Sequence, residues 1–99
     1  MSQNYEDVPF EFLSAHHRSS AAKGTVGVTP AEMVLTIPLE GDAPYVIKGV
    51  AGNGYFEGQH EGDADDVPVY AAWAKLKDVW VGRWIEDGEM YLFSFRLPE

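Results

Sequence analysis

The chain contains no cysteine. This absence excludes disulfide bridges, thiolate metal sites and cysteine nucleophiles. The sequence also lacks any run of about 18 apolar residues, so we expect no membrane-spanning helix. Residues 1–7 combine neither a basic region nor an apolar run, which predicts no signal peptide. The expected location is therefore the cytoplasm.

Basic residues are few: 7 Lys and Arg stand against 16 Asp and Glu, which gives a formal net charge of −9. Binding to nucleic acid or to an anionic membrane requires clustered cations that displace counterions. We therefore expect neither partner. The charge is concentrated in residues 31–66, where Lys48 is the one basic residue. An excess of negative charge keeps a protein soluble, which explains this distribution. The alternative is an acidic surface that binds a basic protein.

The length of 99 residues allows one domain and one core. We expect a flexible N-terminal segment at 1–8 and a single β-rich domain at 9–99. Ten Gly and six Pro interrupt the chain at short intervals, which is typical of many short strands. The predicted fold class is all-β: a small antiparallel meander curled into a barrel or a strongly bent sheet, with room for one short helix.

Alternating hydrophobicity predicts several strands directly. Residues 33–39 place Met33, Leu35, Ile37 and Leu39 on one face. A further strand is expected over 45–51, followed by Gly52-Asn53-Gly54. An Asn-Gly pair between extended segments predicts a type I′ hairpin turn, with residues 55–60 as the returning strand.

Two segments fit either strand or helix. Residues 67–77 alternate as a strand does, yet Val69, Ala72, Trp73 and Leu76 also form a helical stripe. We favour the strand there, because Pro and Val are poor residues for a short helix. Residues 9–22 leave the same two alternatives open.

The clearest local prediction is a C-terminal hairpin that turns at Asp87-Gly88. A two-residue turn there sets Glu86 opposite Glu89 and fixes each pairing beyond it. Aromatic residues then share one face, with the pairs Trp84–Tyr91 and Trp80–Phe95 and with Phe93 opposite Gly82. We expect that face to belong to the core.

The other face of the same hairpin is also largely apolar, which a sheet solvated on one side does not require. A helix, a second copy of the chain or a ligand would have to cover it. We therefore assign it as a candidate self-association face that would produce a homodimer. Its residues are Val79, Val81, Ile85, Met90 and Leu92.

Motifs for chemistry are weak. The loop Glu61–Asp66 begins with the acidic spacing of an EF-hand, but it lacks the later Gly and Glu ligands. His16 and His17 are adjacent, so a strand would point them to opposite faces, and His60 is distant in sequence. We therefore expect no metal and no other cofactor, and no catalytic residue is assigned.

Aromatic residues supply the remaining candidate site, because a small closed barrel can hold one small molecule. The predicted ligand-binding residues are Tyr55, His60, Trp73, Arg83 and Trp84. The expected function is a non-enzymatic β-barrel binding module, for a small apolar ligand or for self-association. The first alternative is an acidic interaction or inhibitory protein for a basic partner. The second is a small enzyme that uses His60 beside Arg83 or a carboxylate.

Overall fold

A computed structural model describes residues 2–16, 18–39, 42–60 and 68–98. These residues form strands joined by turns and include no helix. The short helix allowed by the sequence is therefore not formed in them, and the described residues of both ambiguous segments form strands and turns. The loop Glu61–Asp66, together with Val67, lies outside the described residues. The strands are β1 (Gln3–Ser14), β2 (Ser19–Val28), β3 (Glu32–Leu39), β4 (Asp42–Ala51), β5 (Phe56–Gln59), β6 (Val69–Leu76), β7 (Val79–Glu86) and β8 (Glu89–Phe95).

The eight strands form a closed antiparallel barrel. Each strand pairs with the next along the chain, and β1 pairs with β8 to complete the ring. The closing register places Phe12 opposite Phe93 and Leu13 opposite Leu92. Closure removes the exposed strand edges that an open meander of this kind would carry. The predicted all-β barrel is confirmed.

The alternation of side chains decides which residues fill the barrel. Met33, Leu35 and Ile37 on β3 are buried, as their period of two predicts. The buried side chains contributed by the other strands complete one continuous core. They are Val8, Phe10, Val26, Ile47, Val69, Ala71, Trp73, Trp84, Phe93 and Phe95.

The first strand begins earlier than the sequence suggests. Residues 3–8, assigned above to a flexible segment, lie in β1, where Gln3 pairs with Val28. An irregularity interrupts the pairing between Tyr5 and Val8, and Asp7 there adopts a φ of 54°. Val8 is buried beyond this bulge, so the bulge returns the alternation to the core.

The C-terminal hairpin has the predicted turn and register. Asp87 and Gly88 have φ values of 50° and 80°, as a type I′ turn requires at both positions. Glu86 pairs with Glu89, and Trp84 pairs with Tyr91. The aromatic face is directed into the barrel, so its assignment to the core is confirmed.

The turn between β4 and β5 differs from its prediction. Gly54 has a φ of 90°, but Asn53 is not among the residues with positive φ, so the type I′ assignment is wrong. The strands are joined by a longer loop, closed by a 2.7 Å hydrogen bond from the Gly52 N–H to the Tyr55 carbonyl. The hairpin itself is formed, because Ala51 pairs with Phe56.

Candidate functional site: an aromatic cavity at one mouth of the barrel

Aromatic rings fill the interior of the barrel. Phe93 lies at its centre, with ring centroids 5.8 Å from Trp84 and 6.2 Å from Trp73. Phe10 and Phe95 continue the packing at a centroid separation of 4.8 Å. Because these rings occupy the interior, a ligand would have to bind towards an end of the barrel.

One end of the barrel retains a cavity of about 260 Å³, which we call the mouth cavity. It opens where β7 turns into β8 and where β3 ends. The buried ring of Trp84 forms its floor. The residues that line it are Phe12, Ser20, Ala21, Ala22, Ile37, Pro38, Leu39, Tyr45, Trp84, Glu86 and Tyr91.

The hairpin places three of these residues through simple alternation. Trp84 and Glu86 are two residues apart on β7, so both point to the inside of the barrel. The Asp87-Gly88 turn follows at once, and the register puts Tyr91 opposite Trp84. A strand whose inward face is aromatic therefore ends in a carboxylate at the rim.

Two donors hold the Glu86 carboxylate. The indole N–H of Trp84 donates to Oε1 at 3.0 Å, and the Tyr45 hydroxyl donates to Oε2 at 3.2 Å. Tyr45 comes from β4, across the barrel, so this second bond is a long-range tie between two walls of the cavity. The carboxylate is only partly buried and remains accessible at the rim.

Ring contacts surround Trp84. The Phe12 ring meets it edge to face at a centroid distance of 5.3 Å, and the Tyr45 ring lies at 6.0 Å. Tyr45 also meets the His60 ring at 5.2 Å. His60 is bridged to Ile47, and its Nδ1 accepts the backbone N–H of Val46 at 3.0 Å. Such contacts fix the walls of the cavity before any ligand arrives.

Burial and nearby charges act on the Tyr91 phenol at this rim. Partial burial raises the pKa of the Tyr91 phenol above its ordinary value, and the carboxylates of Glu89 and Glu86 raise it further. Arg18, on the β1–β2 turn, acts in the opposite direction. The carboxylates of Glu89 and Glu86, and not the burial, are the part of this effect that favours positive charge over negative charge at the rim.

The structure brings together two of the predicted ligand-binding residues. Trp84 lines the mouth cavity, and His60 packs on Tyr45 beside it. Trp73 is buried deeper, where it stacks on Phe56 at 6.2 Å. Tyr55 lies in the β4–β5 loop at the opposite end of the barrel, with its ring over Gly52.

Arg83 is the predicted residue that lies farthest from a shared site. It points outward from β7 and is exposed, between Ala72 and Leu92 on the neighbouring strands. His60 is directed inward, so the barrel wall separates the two side chains. The pairing of His60 with Arg83, which one of the enzymatic alternatives required, is not formed.

Sequence reasoning did not assign Glu86, Tyr45, Phe12 or Tyr91 to the site. For Glu86 a signal was present, because the predicted register already put it on the aromatic face of the hairpin, two residues after Trp84. Its approach to Tyr45 spans 41 residues of sequence. That contact follows from barrel closure, which local patterning does not reveal.

The predicted self-association face lies on the outside of the barrel. Leu92 is 54% exposed, Met90 47% and Val81 37%, whereas Val79 and Ile85 are partly exposed. Leu13 on β1 is 42% exposed and pairs with Leu92, so the apolar surface continues across β1. Small residues of β2, β7 and β8 help to line an open groove of about 930 Å³ in this surface: Ser19, Ser20, Ala21, Gly82 and Ser94.

Within residues 2–16, 18–39, 42–60 and 68–98, no group of three or more His, Asp or Glu side chains is arranged to hold a metal ion. The same residues include no helix long and apolar enough to cross a membrane.

The fold and the site define a class, a closed eight-stranded antiparallel meander barrel with an aromatic cavity at one mouth. No protein-family model, curated protein or solved structure shows significant similarity to the chain.

Proposed function

We propose that the protein is a non-enzymatic binding module that takes up a small, largely apolar ligand at the mouth cavity. The observation that carries this proposal is the combination of a filled barrel and a ring-lined space of about 260 Å³ at one end. Pockets for drug-sized ligands measure roughly 300–1,000 Å³. The ligand is therefore smaller than that class and sits near the rim.

The cavity has the features of a binding site rather than of a packing defect. Apolar and aromatic side chains form most of its lining, and a few polar groups converge on one edge, which is the usual composition of small-molecule sites. The Tyr45–Glu86–Trp84 hydrogen bonds order that edge in advance. Preorganised walls reduce the entropy that a ligand must overcome.

Titration with 3,3-dimethylbutanol, a small neutral probe, tests the proposal. The readout is the indole N–H resonance of each tryptophan by NMR. We expect the Trp84 resonance to shift with saturation, because Trp84 forms the cavity floor. Trp80, which lines the depression at the other end of the barrel, is the internal reference and should not shift.

A matched pair of substitutions locates the binding. Ala22 lines the mouth cavity, so Ala22→Phe should fill it and abolish the saturable shift. Ala51 is exposed at the end of β4, near the opposite mouth, so Ala51→Phe should leave the titration unchanged. Equal loss in both variants would contradict the proposal, as would the absence of a saturable shift in the unmodified protein with both this probe and its cationic isostere.

Self-association is a second candidate function, favoured by the contiguous exposed apolar residues on the outside of β7 and β8. Sedimentation velocity at increasing concentration measures it. Val81→Ser should weaken association, whereas Val50→Ser should not, because β4 lies across the ring from this face and Val50 is 59% exposed. A monomer at all concentrations would exclude this candidate.

A further inference from the structure

We infer, on the basis of the proposed function, that the ligand of the mouth cavity is a small organic cation with an ammonium group. The observation that points to such a cation is that the Glu86 carboxylate lines the same cavity as the rings of Phe12, Tyr45, Trp84 and Tyr91. This inference narrows the ligand class at the same site and can fail while the site itself stands.

Within the part of the chain that the structure describes, no basic side chain forms an ion pair with Glu86. Among the described residues that line the cavity, Glu86 is the one charged side chain. An ion pair joins Arg96 to Asp78 at 3.6 Å, towards the opposite end of the barrel. Arg18 lies beside Tyr91 in the adjoining depression, where Glu89 is also present.

A carboxylate in this position selects the charge of its ligand. Its two bonds, from Trp84 and Tyr45, use part of the four lone-pair positions that a carboxylate offers. A neutral apolar ligand would remove water from the remaining positions without compensation, which is costly. An anionic ligand would also be repelled. A cation restores the lost solvation and is attracted.

The aromatic walls favour the same charge. The face of an aromatic ring attracts a cation within about 6 Å of its centroid, and Trp is the strongest of the aromatic side chains. Phe12 and Tyr45 flank Trp84 at different angles, 77° and 56° between ring planes, and all three residues line the cavity. Methyl or methylene groups on the nitrogen would also bury apolar surface against them. An alkylated ammonium ion meets both requirements.

Choline and 3,3-dimethylbutanol separate charge from shape, because they differ by a quaternary nitrogen in place of a quaternary carbon. We expect choline to bind about tenfold more tightly, through Coulomb attraction to Glu86 and contact of its methyl groups with the aromatic rings in a partly buried site. An N-acetyl-trimethyllysine amide distinguishes the source of the group. Its binding would indicate a protein side chain, and binding of choline alone would indicate a free small cation; either result supports the ammonium assignment.

Two isosteric substitutions assign the effect to one carboxylate. Glu86→Gln should reduce the choline preference to less than about twofold and should not weaken binding of the neutral probe, because the desolvation cost at the carboxylate is removed. Glu89→Gln removes the same charge from the opposing residue of the hairpin, outside the mouth cavity, and should retain most of the preference.

Three other outcomes of these titrations would each contradict one claim. If neither probe binds, the proposed function fails and the cation inference fails with it. If the neutral probe binds as tightly as choline, the cavity is a ligand site but the ammonium assignment is wrong. If Glu89→Gln removes the preference as fully as Glu86→Gln, the general acidic field and not the Glu86 site attracts the cation.

Discussion

The six-membered ring of Trp73 on β6 occupies the space in which a side chain at Gly49 on β4 would begin. A Cβ atom at position 49 would overlap Cη2 and Cζ2 of that ring, and the Met33 carbonyl would lie 3.1 Å away. The indole N–H of Trp73 is bonded to the Met33 sulfur at 3.1 Å, which holds the ring in place. The absence of a side chain at Gly49 therefore leaves room for the Trp73 ring, which belongs to a strand two positions away in the barrel.

Gly49→Ala should destabilise the barrel by about 2–3 kcal/mol, because an added methyl group in a packed core forces rings or backbone to move. Trp73→Phe removes the two overlapping ring atoms. The double variant should therefore be more stable than the sum of the single effects predicts, with a coupling of about 1 kcal/mol. Urea denaturation of the four proteins measures this cycle.

Gly27→Ala is the control for that cycle. The nearest atom to a Cβ at position 27 is the Oδ1 of Asn4, a side-chain atom on an exposed residue that can move. Its cost should stay below about 1 kcal/mol and should not couple to Trp73→Phe. Strictly additive effects of Gly49→Ala and Trp73→Phe would contradict the overlap described above.

The second prediction concerns the Asp87-Gly88 turn, where the cost of a substitution depends on backbone conformation alone. Gly88 has a φ of 80°, and no atom lies within 4 Å of a Cβ built there. Gly88→Ala should therefore cost about 1–2 kcal/mol through the left-handed conformation and not through a clash. Gly88→Asn should cost less, because Asn tolerates this region. Equal unfolding midpoints for the Ala and Asn variants would contradict this explanation.

Tyr70 provides a test at alkaline pH. A hydrogen bond from its hydroxyl to Glu57 at 2.7 Å raises the pKa of the phenol, and burial and the Glu57 charge add to it. The folded state thus holds the proton more tightly than the unfolded chain. This contribution to stability is complete below the ordinary tyrosine pKa of 10.0 and decreases as pH rises above it.

Glu57→Gln should move the Tyr70 pKa down towards its ordinary value, since the carboxylate that opposes ionisation is gone. Absorbance titration of the phenolates measures the change, with Tyr70→Phe to identify the affected step. Glu89→Gln is the matched variant, because Glu89 acts on Tyr91 instead. A Tyr70 pKa that does not move in Glu57→Gln would show that the hydrogen bond is not its main cause.

The sequence predicted those parts of the fold that depend on alternation and on one well-defined turn. The inward face of β3 and the register beyond Asp87-Gly88 follow from neighbours in sequence. In β6, helix and strand patterns coincide over Val69 and Trp73. Leu76 separates them: it belongs to the helical stripe, yet it is 66% exposed in the barrel. Pairing with β5 and β7 decides the strand, and that information is not local.

The candidate site was less predictable, since it is assembled from strands that are distant in sequence. Trp84 and Glu86 share a face by alternation, but Tyr45 reaches them only after the ring of strands is formed. The predicted set joined residues from the inside, the outside and both ends of the barrel. Aromatic composition indicates that a lined cavity is possible, and it does not indicate which end of the barrel keeps one.

Ser14 explains why residues 9–22 looked ambiguous, and it gives the last prediction. The turn after β1 contains no Gly, Pro, Asn or Asp, so ordinary turn signals are missing. The buried Ser14 replaces them: its Oγ accepts the backbone N–H groups of Arg18 at 3.1 Å and His16 at 3.3 Å, and its own N–H donates to the Arg18 carbonyl at 2.9 Å.

Ser14→Ala should cost about 1–2 kcal/mol of unfolding free energy, because it leaves those partly buried N–H groups without their acceptor. Ser14→Thr should retain most of the stability, and Ser19→Ala, at an exposed position, should change it by less than about 0.5 kcal/mol. If Ser14→Ala unfolds at the same urea concentration as the unmodified protein, the side chain does not hold the turn.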